Sequence, residues 1–196
     1  MKSTTILLLV IFCCFSCGKD DDGPDNPYGL PNATKVGANT FGCLINGEPW
    51  VAEDNRLLGK DINATYDEIG VGVSDNSYFT ISSKYFPESS FPPPDSAISD
   101  IFSIRVTPIY SEGEVDFSSL TRKEAVYKSG FLNIPGTLNI YELDTLYSDN
   151  YINVSNLDLE NNIISGEFTF RLIRPNNSLD VILITDGRFD VVYQPN

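Results

Sequence analysis

The chemistry open to this sequence is limited first by the absence of histidine from its 196 residues. Histidine is the commonest general base and a usual zinc ligand, and it activates the nucleophile in serine and cysteine hydrolase triads. The sequence therefore excludes such triads, and it predicts no catalytic residue, no metal site and no cofactor. Carboxylate-pair catalysis stays open, because glycosidases need only two acidic side chains about 5–9.5 Å apart and the chain has 27 Asp and Glu residues.

Residues 1–16 have the three-part pattern of a secretory signal peptide. Lys2 is followed by an apolar run over residues 6–15 that ends at Ser16-Cys17-Gly18, and this run is too short to span a bilayer, which takes about 20 residues. The junction resembles the lipobox of bacterial lipoproteins, in which a cysteine is diacylated and becomes the first residue. The resemblance implies lipidation of Cys17 and a membrane as partner. Ordinary secretion, with Cys17 an unmodified thiol, is the alternative.

Residues 17–36 are expected to be a flexible acidic tether, because residues 18–27 contain no apolar side chain to bury. An acidic run after a lipidated cysteine resembles the export signal of Bacteroidetes lipoproteins. The resemblance implies an outer-membrane location facing the cell exterior, with a spacer facing the periplasm as the alternative.

Charge and cysteine content limit the remaining partners. Without residues 1–16 the chain carries 12 basic and 27 acidic residues, a net charge of −15, which repels phosphate backbones and argues against nucleic-acid binding. Cys43 would then have no disulfide partner, and its place in an alternating pattern with Phe41 and Ile45 favours a buried apolar role. Residues 37–196 are long enough for one domain with a single core.

The pattern along residues 37–196 is that of an all-β domain. Alternating apolar and polar residues recur between turn signals, which predicts an antiparallel β-sandwich or partly closed barrel of nine or ten strands. Asn46-Gly47 predicts a hairpin, Pro49 a sheet edge, and Asp186-Gly187 a bulge or turn in which Gly accepts positive φ. A short helix is expected at Leu120–Tyr127. The other predicted strands are Glu68–Val73, Tyr78–Ser83, Ile101–Tyr110, Gly136–Leu143, Tyr151–Leu157, 163–174 and 181–193.

Candidate binding residues are aromatic. Trp50 is expected to cap the core, with ligand stacking as the sharper alternative, and a glycan-binding surface would use Trp50, Tyr66, Tyr78 and Tyr85. The Pro-rich loop 86–95 is expected to be held on the core by Phe86 and Phe91, or to present them as an exposed docking pair.

Two short patterns concern modification. Asp95-Ser96-Ala97 and Asp144-Thr145-Leu146 resemble the Asp-Ser/Thr-aliphatic O-glycosylation sites of exported Bacteroidetes proteins, which makes Ser96 and Thr145 candidate acceptors. Of the two, Ser96 is favoured, because it lies in the expected loop.

Two longer stretches resemble a family of Bacteroidetes lipoproteins of unknown function. Residues 38–50 (ANTFGCLINGEPW) match its N-terminal signature, and residues 162–170 with 184–191 match its C-terminal signature. The resemblance implies a lipid-anchored all-β domain and transfers no catalytic residues. The signatures also have a structural interpretation, in which Asn46-Gly47 is a turn and Arg188 pairs with Asp190 or Glu167.

The leading functional hypothesis is a non-enzymatic surface module that binds a glycan, a peptide or a protein. A structural or assembly subunit of an outer-membrane complex is the first alternative, and an exposed edge strand near Pro49 or at the C-terminus would favour it. A carboxylate-dependent hydrolase is the second alternative.

Overall fold

The computed structural model describes residues 28–54, 61–67, 78–86, 98–131 and 138–195. The signal peptide, Cys17, the acidic part of the tether, the strand expected at Glu68–Val73 and most of the Pro-rich loop with Ser96 lie outside these ranges.

The all-β prediction is confirmed: the regular elements of the described ranges are strands, and none is a helix. Three of the strands have only two residues, so the longer ones match the predicted number. The strands are β1 (Thr40–Ile45), β2 (Glu48–Val51), β3 (Glu53–Asp54), β4 (Ile62–Asp67), β5 (Tyr78–Phe86), β6 (Ile98–Thr107), β7 (Gly113–Glu114), β8 (Arg122–Phe131), β9 (Asn139–Leu143), β10 (Tyr151–Asp158), β11 (Ile163–Arg174), β12 (Asn177–Val192) and β13 (Gln194–Pro195).

The strands form one mostly antiparallel sheet that does not close on itself. Its order is β13-β4-β5-β6-β8-β9-β11-β12-β1-β2, with β10 beside β11 and β7 beside β10. Among the described strands, only the short contacts of β13 with β4 and of β3 with β5 are parallel. The sheet is therefore a folded antiparallel sandwich rather than a closed barrel.

The core lies between the two halves of this sheet. Phe41 of β1 approaches Phe102 of β6 with 5.5 Å between ring centroids, and Phe79 of β5 stacks on Phe189 of β12 at 5.4 Å. These four rings are at most 3% exposed, and burial of each apolar side chain of this size stabilises the fold by about 1.5–3 kcal/mol. The alternating apolar residues of the sequence thus face inward and join the two halves.

The hairpin predicted at Asn46-Gly47 is confirmed. Ile45 pairs with Glu48 across this two-residue turn, and both turn residues have positive φ, 53° for Asn46 and 87° for Gly47, as a type I′ turn requires. β2, which carries Pro49, is the last strand of the described sheet order, so the predicted edge position is also confirmed.

The helix expected at Leu120–Tyr127 is wrong, because residues 122–127 belong to strand β8 and residues 120 and 121 precede it. β8 pairs with β6 along ten residues, from Thr107 opposite Arg122 to Ile98 opposite Phe131. Ala125 and Tyr127 are buried in the core. The helix-favouring residues in this stretch are overridden by pairing and burial across the sheet.

The bulge predicted at Asp186-Gly187 is confirmed, but the role assigned to the glycine is wrong. The register of β12 shifts between Ile184 and Gly187 against β11, and it is Asp186 that has positive φ, 50°. Gly187 is required for space, since a Cβ there would lie 2.4 Å from a ring carbon of Phe168. The glycine lets the aromatic ring pack against the backbone of the bulge.

The last part of the predicted tether contacts the sheet. Leu30 is 3% exposed, and Thr34 and Val36 donate hydrogen bonds to Asp190 of β12. Residues 30–36 therefore contact the folded domain.

Candidate functional site

Cys43 is buried, as the alternating pattern predicts. It is 0% exposed and has no disulfide partner. Burial raises the pKa of its thiol far above the usual range, so the reactive thiolate does not form at neutral pH.

The aromatic set considered for glycan binding does not form an exposed platform. Trp50 and Tyr66 are core residues, at 7% and 3% exposure, and the Trp50 ring meets Phe41 edge-on at 6.0 Å. Tyr78 and Tyr85 are half-buried, and Tyr85 packs against Trp50. The core interpretation of Trp50 is confirmed, and a binding surface must be sought elsewhere.

A cleft opens where β9 and β10 separate along the same edge of β11. β10 pairs with β11 as far as Thr169, and β9 pairs with it only at Leu172 and Ile173. The gap is filled by the β9–β10 loop and faces the segment between β7 and β8. The cleft has a volume of about 600 Å³, and its walls are residues 114–118 with Lys123 on one side and residues 145–148 with Asn150 on the other.

Asn150 fixes the β9–β10 loop on the edge of β11. Its side-chain amide donates to the carbonyls of Asp144 at 2.7 Å and Tyr147 at 3.0 Å, and its Oδ1 accepts from the Arg171 amide at 3.0 Å. The Arg171 carbonyl in turn accepts from the Asp144 amide at 2.9 Å. One buried side chain thus replaces the missing strand partner and sets the shape of this wall.

The opposite wall is held by Asp116 and Lys123. Asp116 Oδ1 accepts from the amide of Ser118 at 2.8 Å and from its hydroxyl at 2.7 Å, and these bonds lower the pKa of Asp116 below its usual value. The Lys123 ammonium donates to the Phe117 carbonyl at 2.8 Å. Both charged groups therefore lie in the cleft wall, and Asp116 is exposed to solvent.

Tyr147 and Leu146 give the cleft apolar surface. The Arg171 guanidinium lies 5.4 Å from the centroid of the Tyr147 ring and forms an ion pair with Asp144 at 3.6 Å. Leu146 is 94% exposed. Thr145, the candidate glycosylation acceptor, is exposed in the same loop. Its modification stays a prediction.

A smaller cavity lies at the bulge of β12. It has a volume of about 200 Å³ and contains Glu167, Asp186 and Arg188 together with Tyr151. These two carboxylates are the pair to substitute in testing the hydrolase hypothesis. In the described ranges Arg188 forms no ion pair within 4.0 Å. Its guanidinium donates instead to the Pro31 carbonyl, so the expected pairing with Asp190 or Glu167 is wrong.

The cleft is not apparent from the sequence, because its walls lie in separate loops with no shared motif. A weak signal exists in Asp116-Phe117-Ser118 and Asp144-Thr145-Leu146, where each Asp accepts from the amide two residues later. Such turns are common at surface loops and do not by themselves identify a site.

Comparison with protein-family models, with curated proteins and with solved structures finds no match to this chain. No helix able to cross a membrane occurs in the parts of the chain that the structure describes. Within those same parts, no three His, Cys, Asp or Glu side chains are grouped to hold a metal ion.

Proposed function

We propose that the chain is a lipid-anchored, exported surface module that binds a glycan in the cleft between residues 114–118 and 145–150 and has no catalytic activity. The cleft carries this proposal. Its volume of about 600 Å³ falls within the range of ligand pockets, about 300–1,000 Å³.

The chemistry of the cleft favours a glycan. A sugar ring has an apolar C–H face and a rim of hydroxyl groups. In the cleft, the half-buried Tyr147 ring can pack against the C–H face. Asp116, Ser118 and Ser148 can form hydrogen bonds with the hydroxyl groups. Both walls are fixed by hydrogen bonds before any ligand is present, which reduces the entropy lost on binding.

An assembly role through strand pairing has less support. β2 is the last strand of the described sheet order, but Pro49 lies in the middle of its four residues and has no N–H to donate. Proline on an edge strand is a common protection against pairing with another chain.

Binding is tested with the full lipid-bearing chain in detergent, by affinity electrophoresis through gels containing neutral or acidic polysaccharides. We expect retardation by at least one glycan class, and we expect Tyr147→Ala to reduce it by up to about tenfold, since aromatic stacking contributes about 0.5–1.5 kcal/mol. Tyr110→Ala is the matched control, because Tyr110 is 63% exposed and lies outside the cleft. Equal retardation of both variants would place the ligand elsewhere.

The anchor and its orientation need separate tests. Labelled palmitate should enter the unsubstituted chain and not the Cys17→Ser variant. Protease treatment of whole cells should degrade the domain, and full protection would contradict the exterior location.

A further inference from the structure

The segment before β1 crosses the outer face of the sandwich as a strap, which we define as residues 31–39. It begins where Arg188 donates to the Pro31 carbonyl at 3.1 Å. It ends where Asn39 Oδ1 accepts from the Val192 amide at 3.1 Å. The strap thus crosses β1 and β12 on the face opposite the core.

Asp190 is the centre of this contact. Its carboxylate accepts from the amides of Val36 at 3.1 Å, Gly37 at 2.9 Å and Ala38 at 3.1 Å, and from the hydroxyl of Thr34. The hydroxyl of Ser165, on the neighbouring strand β11, adds a bond at 2.7 Å. Asp190 is only 1% exposed, so the strap itself covers the carboxylate that holds it.

Shape complements these bonds. A Cβ on Gly42 would lie 2.6 Å from the Pro31 ring, and one on Gly37 would lie 2.8 Å from the Val192 side chain. The strap contributes no residue to the hydrophobic core cluster, whose members begin at Phe41. The strap is therefore attached mainly by hydrogen bonds around Asp190. This attachment is separate from the hydrophobic packing that joins the two sheet halves.

We propose that residues 31–39 are a detachable latch: breaking their contacts with Asp190 frees the strap while the two halves of the sandwich stay folded. This inference does not depend on the cleft or its ligand. Nine freed residues extend by about 30 Å at most, so opening would change how far the domain reaches from whatever precedes residue 31. That last consequence rests on the proposed anchor.

Few charges surround Asp190. Arg188 lies two residues earlier on β12 and donates to the strap, Lys35 is exposed on the strap itself, and Glu167 of β11 pairs in register with Arg188. Burial opposes the charge of Asp190, but the bonds from Thr34, Ser165 and the strap amides outweigh it and lower its pKa. The closed latch therefore needs the ionised carboxylate, and acid is a probe that opens it.

Lys35 provides a readout, because the Val36 amide is bonded to Asp190 in the closed strap and we expect trypsin to cut the Lys35–Val36 bond faster when the strap is free. In the full chain at neutral pH we expect Asp190→Asn to raise the rate of cleavage at this bond at least about tenfold. Loss of one hydrogen bond of about 1.4 kcal/mol already gives that factor. Thr34→Val should give a smaller increase. Asp158→Asn is the matched control, since Asp158 is a half-buried aspartate outside the strap contact that also accepts from two backbone amides.

Fluorescence of Trp50 distinguishes release from unfolding, because this single tryptophan is packed in the core. Faster cleavage with unchanged Trp50 emission supports the latch. Unchanged cleavage in Asp190→Asn, or faster cleavage that appears only when Trp50 becomes solvent-exposed, overturns it.

Hydrogen exchange of the unsubstituted chain keeps the inference testable if Asp190→Asn does not fold. The amides of Val36, Gly37 and Ala38 should exchange through an opening that depends weakly on urea, whereas amides of β6 and β8 should exchange only through global unfolding. Acidification below the usual aspartate range should speed exchange at the strap first, after correction for intrinsic rates. Exchange of strap and core with the same urea dependence would contradict the latch.

Discussion

The strap groove and the cleft use the same side chain, an aspartate that accepts backbone amides, in opposite ways. Asp190 is buried and receives five hydrogen bonds, four of them from residues more than 150 positions away. Asp116 is exposed, and the bonds it receives come from Ser118, two residues later.

This difference in hydrogen-bond donors distinguishes a carboxylate that holds the fold together from one that can bind a ligand. The oxygens of Asp190 are occupied by its own chain, so no external ligand can reach them while the strap is closed. Those of Asp116 are only partly used, because the local turn bonds Oδ1 and Asp116 itself lines the cleft. The number and sequence distance of the donors thus distinguish the two carboxylates, which composition alone cannot do.

The largest expected effect is on the stability of Asp190→Asn. The amide that replaces one oxygen cannot accept, so at least two of the five donors lose their acceptor, and each buried unsatisfied group costs about 1–3 kcal/mol. We expect the free energy of unfolding to fall by about 2–4 kcal/mol in urea titration. Asp158→Asn should leave the midpoint unchanged. A similar loss in both variants would remove the distinction between the two kinds of aspartate.

The pH dependence of stability should follow from Asp190. Its pKa in the folded chain is below the usual value, so the stability it provides is present above the unfolded pKa of about 3.9 and is lost as pH falls through the lowered folded pKa. Urea titrations from about pH 6 down to about pH 2, a range that spans the usual Asp pKa, should show a steeper acid loss of stability in the unsubstituted chain than in Asp190→Asn. Equal slopes would assign the acid loss to other carboxylates.

Substitution of Asn150 tests whether the β9–β10 loop must be held in place for stability and for glycan binding. Asn150→Ala removes the acceptor of the part-buried Arg171 amide and the donor to two loop carbonyls. We expect a loss of about 1–3 kcal/mol in the free energy of unfolding and loss of glycan retardation, because the wall that carries Tyr147 is no longer fixed. Asn161→Ala, at an exposed turn, is the control. Retained binding in Asn150→Ala would show that the β9–β10 loop is not part of the ligand site.

Gly42→Ala should weaken the strap with a smaller effect. Its Cβ would meet the Pro31 ring, and we expect a loss of about 1 kcal/mol, at the low end for overpacking, because the strap can lift. Cleavage at Lys35 should increase. Gly47→Ala is the comparison: it is strained by its positive φ but has open space around it, so it should lower stability without speeding that cleavage. Faster cleavage in both would mean that the strap responds to general destabilisation.

Sequence patterns predict the strands and turns whose conformation is determined by neighbouring residues. The alternation over residues 163–174 and the Asn46-Gly47 turn are reproduced, because period and turn geometry are written in neighbouring residues. Most of the segment expected as a helix at Leu120–Tyr127 belongs to β8, since ten paired positions on β6 determine its conformation and the sequence does not show that pairing. Long-range partners outweigh local propensity there.

The strap likewise depends on long-range partners, so local patterns do not predict it. Asp190 stands in a stretch that predicts a strand, and nothing near it in sequence shows that residues 34–38 will cover it. The two stretches that carry the family resemblance do meet in the fold, with Thr40 opposite Asp190. Their glycines, Gly42 and Gly187, are explained by the close approach of Pro31 and Phe168. A structural role for these residues is thus sufficient to account for them.

The smallest expected change in stability is that of Asp116→Asn. The amide oxygen of asparagine can accept both bonds from Ser118, so the turn should survive, and Asp116 is exposed, so its lowered pKa adds nothing measurable to the folded state. The urea midpoint should equal that of the unsubstituted chain, while glycan retardation should weaken about three- to tenfold if the free oxygen accepts a ligand hydroxyl. Unchanged retardation would leave Tyr147 as the main contact. A loss of stability comparable to that of Asp190→Asn would mean that Asp116 is structural after all, because its free oxygen would then be holding the fold and not facing a ligand.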